Sequence, residues 1–139
     1  MLFRSNRPAP YTFWRPLSAR DPRLAAAPRV FDARVHFALN CGAVSCPPVR
    51  AYEPDALDAQ LDLATRAYVQ QELALDRAAG VVRLPYLFKL YDRDFGDAHE
   101  ALGWALPYVE RDDDRRWLAE NAPRLRLAWS KYDWTITRA

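Results

Sequence analysis

An α+β fold is what this sequence predicts, and three observations carry the prediction. Segments that alternate with period two are interleaved with segments of helical spacing, the pattern of mixed helix and sheet. Of the 139 residues 50% are hydrophobic, enough apolar stock for one core but not for two. Aromatic residues make up 13% of the chain, which sets it against disorder, because their burial offsets ordering entropy. A single domain over residues 30–139 follows, preceded by an arm.

Residues 1–29 hold five prolines and no sustained period, so they predict an extended, irregular arm. Tyr11, Phe13 and Trp14 give it apolar surface to lay on the body. The arm carries six arginines against one acid, and the remainder of the chain has fourteen bases against seventeen acids. Pairing of the arm with the acidic body is the reading preferred over a nucleic-acid contact. Arginine outnumbers lysine eighteen to two throughout, so arginine content marks phosphate binding poorly here.

From Ala33 the chain alternates, with Val35, Phe37 and Leu39 on one side and Arg34, His36, Ala38 and Asn40 on the other. That pattern predicts a strand over 33–40, broken by Cys41-Gly42 and followed by a loop closing at Cys46-Pro-Pro. Pro54 at a first helical position, acids in the first turns, and Leu57, Leu61, Ala64 and Tyr68 at helical spacing predict a helix over 54–70. Residues 73–76 and 80–84 flank a short turn and predict a hairpin, with a brief helical segment at 85–90. A helix at 98–109 carries Gly103 and Pro107 and is expected to be short or kinked. The acids of Asp112-Asp-Asp open a surface helix over 112–121 with Trp117 and Leu118 turned inward. Leu125, Leu127 and Trp129 alternate with Arg124, Arg126 and Ala128, a terminal strand over 124–130.

The chemistry concentrates in VHFALNCGAVSCPPV, residues 35–49, which holds one of two histidines and both cysteines. His36, Cys41 and Cys46 are three soft ligands where a structural zinc takes four, so no metal site is expected. Four residues separate the cysteines, against two in a thioredoxin-type pair. A disulfide across the loop is sterically open, and so are two buried free thiols. Thiol catalysis needs a thiolate with a base in reach and an orienting acid. Cys46 is the candidate nucleophile, His36 the base and Asp94, in Asp92-Arg-Asp-Phe-Gly, the acid, with Ser45 and Asn40 in support. The same residues also fit structural roles: a satisfied histidine, a small packed thiol and a turn carboxylate. Four glycines form no phosphate loop, so no nucleotide or other cofactor is expected.

Phe31-Asp-Ala-Arg-Val-His-Phe-Ala-Leu-Asn-Cys-Gly-Ala-Val-Ser-Cys-Pro-Pro-Val, Leu84-Pro-Tyr-Leu-Phe-Lys-Leu-Tyr-Asp-Arg-Asp-Phe-Gly, Tyr132-Asp-Trp and Arg4-Ser-Asn-Arg-Pro together resemble the family called domain of unknown function 547. The resemblance runs over essentially the whole chain. It implies a protein of the kind bacteria often export and plants join to a coiled coil, with a distant, fold-level likeness to papain-like thiol hydrolases or transglutaminases. Family members usually carry a helical segment upstream of the arm, so Met1 is expected to be an internal start, with a signal peptide or site residues upstream. Pro85 departs from the serine more usual in the family. The compartment stays open, and no stretch is apolar for the length of a membrane span.

Two functional readings stand at this point. One is a thiol-based hydrolase or transferase site at the motif, incomplete in this chain. The other is a non-catalytic module that binds a protein or peptide partner, with the motif as a structural loop.

Overall fold

A computed structural model describes residues 20–22, 25 and 30–136. The expected arm falls mostly outside the described residues. Five α-helices and a three-stranded mixed sheet are described, as an α+β domain requires.

Helix α1 (Leu57–Glu72) is entered through a 3-10 turn at Pro54–Ala56, where proline gives up no hydrogen bond that the first turn needs. Its buried face is Leu61, Ala64, Thr65, Tyr68 and Val69. Leu57, expected on that face, sits at the helix start and stays exposed. Thr65 returns its hydroxyl to the Leu61 carbonyl at 2.8 Å, which satisfies a polar group inside the core.

Strands β1 (Ala74–Asp76) and β2 (Val81–Leu84) form the expected hairpin, with Leu75 opposite Val82. Gly80 closes the turn at φ +61, and the Asp76 carboxylate accepts from the Ala79 N–H at 2.9 Å. Strand β3 (Arg126–Trp129) adds parallel to β2, with Val82 beside Leu127 and Leu84 beside Trp129. A parallel neighbour needs a long crossover. Helices α2 (Tyr86–Leu90), α3 (Asp92–Phe95), α4 (Ala98–Ala105) and α5 (Asp112–Asn121) supply it.

Asp97 and Glu100 form a reciprocal capping box that starts α4. Helix α4 stops at Ala105 and passes into a 3-10 turn containing Pro107, the short helix that Gly103 and Pro107 foretold. The core is aromatic where the crossover meets α1. Phe88 meets Phe95 edge-on at 4.7 Å, Phe95 meets Trp104 at 4.9 Å, and Phe37 stacks on Trp104 at 5.6 Å. Each such pair adds about 0.5–1.5 kcal/mol to the burial of its area.

The strand expected over 33–40 does not form. Ala33–Phe37 is a 3-10 helix whose N-cap Asp32 accepts from the Arg34 N–H at 2.9 Å. The Arg34 guanidinium also reaches Asp32, Asp58 and Asp62 at 2.7, 2.6 and 3.1 Å, which ties this turn to α1. The cap and these ion pairs compact a segment that has no described strand beside it. A tight turn then buries the consecutive residues His36 and Phe37 and leaves Leu39 41% exposed, which a strand with one buried face would not do.

Candidate functional site: a cysteine pair under Tyr132

The loop after the 3-10 turn is closed from inside by Asn40. Its side-chain amide donates to the Pro47 carbonyl at 2.6 Å, and its carbonyl accepts from the Gly42 N–H at 2.6 Å. Gly42 sits at φ +86, a conformation that L side chains rarely adopt. A tight turn follows, in which the Cys46 N–H donates to the Ala43 carbonyl at 3.0 Å. Asn40 is therefore a loop-closing residue.

The segment after β3 holds this loop from outside. The Val44 N–H donates to the Thr135 carbonyl at 2.9 Å, the Ser45 N–H to the Asp133 carbonyl at 3.3 Å, and Ala43 bridges Ile136. Ser45 Oγ accepts from the Asp133 N–H at 2.9 Å, so this hydroxyl, expected to support the thiol, clamps the carboxy-terminal segment. From α1, Tyr68 donates its hydroxyl to the Ser45 carbonyl at 3.1 Å. Burial first, and the charges of Glu72 and Cys46 after it, hold the Tyr68 phenol above its usual range, so it stays a donor.

These anchors bring three groups together. Cys41 and Cys46 are free thiols whose sulfurs lie 2.7 Å apart. The Cys41 N–H points at Cys46 Sγ at 3.0 Å, and the Tyr132 hydroxyl meets the same sulfur at 3.2 Å. Tyr132 lies farther from Cys41 Sγ, at 4.0 Å. Burial raises the Cys46 pKa, but hydrogen bonds from the Cys41 side chain, the Tyr132 hydroxyl and the Cys41 N–H outweigh it, and the net shift is downward. Burial first, and the hydrogen bond to Cys46 second, push the Tyr132 phenol upward. Both shifts have the directions that a hydrogen bond from the phenol to the sulfur produces.

His36 and Asp94 also meet. His36 Nε2 lies 2.9 Å from Asp94 Oδ2, with side chains 0% and 2% exposed. The imidazole stacks on Tyr91 at 3.8 Å and tilts against Phe95 at 5.5 Å. The base and acid expected from sequence are therefore together, and so are Cys46 and Cys41. Among the described hydrogen bonds none joins the imidazole to the sulfur. Tyr132 escaped sequence reasoning as a site residue; its signal was the Tyr132-Asp-Trp segment, one of the pieces that carried the family resemblance. Among the described residues no three His, Cys, Asp or Glu side chains converge to hold a metal ion. No described helix is long and apolar enough to cross a membrane.

Fold and site define an α+β domain built around a hydrogen-bonded cysteine pair. Residues 1–69 match the family described as "Protein of unknown function, DUF547", and the chain belongs to that family. The match covers the arm, the cysteine loop and most of α1, whereas Asp94 and Tyr132 lie beyond it. No curated protein and no solved structure matches the chain.

Proposed function

We propose that the loop is the site of a thiol-dependent hydrolase or transferase, with Cys46 as nucleophile. The observation that carries this reading is the convergence of the Cys41 N–H and the Tyr132 hydroxyl on Cys46 Sγ, at 3.0 and 3.2 Å. Two donors on one partly exposed sulfur favour the thiolate, the reactive form of cysteine. The thiolate would attack an acyl carbon, Tyr132 would give its proton to the leaving group, and water or a second acceptor would release the thioester. In this reading Tyr132 is the immediate proton partner of Cys46. His36 and Asp94 act behind it as a positioning pair that fixes the turn leading into the loop.

The test is trapping of an acyl-enzyme. The reduced protein, mixed with an activated acetyl ester such as p-nitrophenyl acetate, should gain one acetyl group in intact mass, and Cys46→Ser should gain none. Equal acetylation of the Cys46→Ser protein overturns the assignment.

A second reading, a module that captures an extended peptide, is favoured by the apolar surface beside the loop. Val44, Trp134 and Ile136 are 49%, 56% and 64% exposed on the two segments joined by the Ala43 bridge. It requires Trp134→Ala to abolish peptide capture while Cys46→Ser leaves capture intact.

A further inference from the structure

The proximity of the two sulfurs has no use in acyl transfer, which needs one thiol. We propose that Cys41 and Cys46 form a thiol–disulfide exchange pair, in which Cys46 attacks a small-molecule disulfide and Cys41 resolves the product. Three features of the loop support it. The sulfurs are 2.7 Å apart, so no backbone rearrangement is needed to join them. The two donors at 3.0 and 3.2 Å serve Cys46, which makes it the attacking thiolate. Cys41 is exposed and is therefore open to act second.

The chemistry balances without any group beyond the small disulfide. The Cys46 thiolate attacks one sulfur of RS–SR, forming a Cys46–SR mixed disulfide and releasing RS⁻. Cys41 passes its thiol proton to that RS⁻ and attacks the Cys46 sulfur, forming the Cys41–Cys46 bond and releasing the second RS⁻, which is protonated by solvent. Two protein thiols are oxidised, and one small disulfide is reduced to two thiols. The second step is intramolecular between sulfurs already in contact, so the mixed disulfide should not accumulate. The inference shares the Cys46 thiolate with the acyl-transfer reading but needs no acyl chemistry. Where both hold, oxidation switches the acyl site off.

The full chain, reduced and then exposed to oxidised glutathione at neutral pH, is acid-quenched and weighed intact at intervals. The wild type should lose two hydrogen atoms, with only a transient glutathione adduct. Cys41→Ser and Cys41→Ala should both stop at one stable adduct, and Cys46→Ser should react at least about tenfold more slowly, as loss of the activated thiolate requires. A wild type that stops at the stable adduct overturns the proposal even if neither Cys41 variant folds. A Cys46→Ser protein as fast as wild type overturns the assignment of the attacking thiol. The same reduced samples treated with p-nitrophenyl acetate separate the two ideas. A disulfide without acetylation removes the acyl reading alone, and acetylation without a disulfide removes this one alone.

Discussion

The Tyr132 hydroxyl and Cys46 Sγ are hydrogen-bonded across 3.2 Å, linking the segment after β3 to a loop eighty-six residues earlier in the chain. The contact joins the carboxy-terminal segment to the thiol chemically as well as mechanically. A phenol held above its usual pKa stays protonated, and so remains able to donate to the sulfur whose pKa it lowers.

Tyr132→Phe should therefore raise the Cys46 pKa. A hydrogen bond worth about 1 kcal/mol corresponds to roughly a fivefold change, so iodoacetamide labelling of Cys46 at neutral pH should slow by about that factor. The pH profile of labelling should move to higher pH. The sign follows from the downward shift in the folded protein: removing a donor to the thiolate disfavours the charged form. An unmoved profile would show that Tyr132 only packs there.

The His36–Asp94 pair makes a different prediction, because both side chains are buried. Asp94→Ala removes one partner of a buried hydrogen-bonded pair and should destabilise the fold by about 3 kcal/mol, the scale for breaking such a pair. Asp94→Asn keeps a polar group of the same shape and should be milder. If the pair positions the loop, Asp94→Asn should slow Cys46 labelling while leaving most of the urea midpoint intact. A direct base would instead shift the pH dependence of labelling.

Much of this was legible in the sequence, and what was hidden is hidden for identifiable reasons. The hairpin, β3 and helices α1, α4 and α5 fall where period and punctuation put them, because there local preference and packing agree. Residues 33–40 mislead because alternation is a statement about faces, and Asp32 and Arg34 spend their hydrogen bonds on capping and on the acids of α1 instead. The meeting of His36 with Asp94 could be guessed from residue types, since a buried imidazole needs a partner. Tyr132 could not, because its position depends on how the chain returns along the 43–45 turn after β3, which no local pattern encodes.

Gly96, in the Asp-Phe-Gly turn, offers a backbone test. It sits at φ +76, and a Cβ there would run into the Glu100 side chain. Glu100 in turn accepts from the Asp97 N–H at 2.8 Å to complete the capping box of α4. Gly96→Ala combines a left-handed conformation with loss of that cap, and should destabilise the protein by roughly 1–3 kcal/mol. Thermal or urea unfolding measures it. Glu100→Ala in the Gly96→Ala background should restore only a small part of the loss, because it removes the carboxylate contact but keeps a Cβ against the new methyl. Glu100→Gly removes both, a non-additivity of the kind that neighbouring groups show.

The acid limb of stability should be set by carboxylates whose pKa is lowered in the fold. Asp32 is lowered chiefly by its side-chain hydrogen bond with Arg34, Asp97 by the N–H groups of Glu100 and His99, and Asp133 by the side chain and N–H of Thr135. The unfolded chain binds these protons more tightly than the folded one. Their contribution is thus complete above the unfolded value of 3.8 and is lost as pH falls through the lower folded values. Melting temperature should hold level down to about pH 5 and then drop towards about pH 2. Asp32→Asn should flatten part of that drop, because its carboxylate no longer takes up a proton on unfolding, while lowering the plateau through the weakened contact with Arg34. A variant whose acid limb keeps the wild-type slope would show that Asp32 takes no part in it.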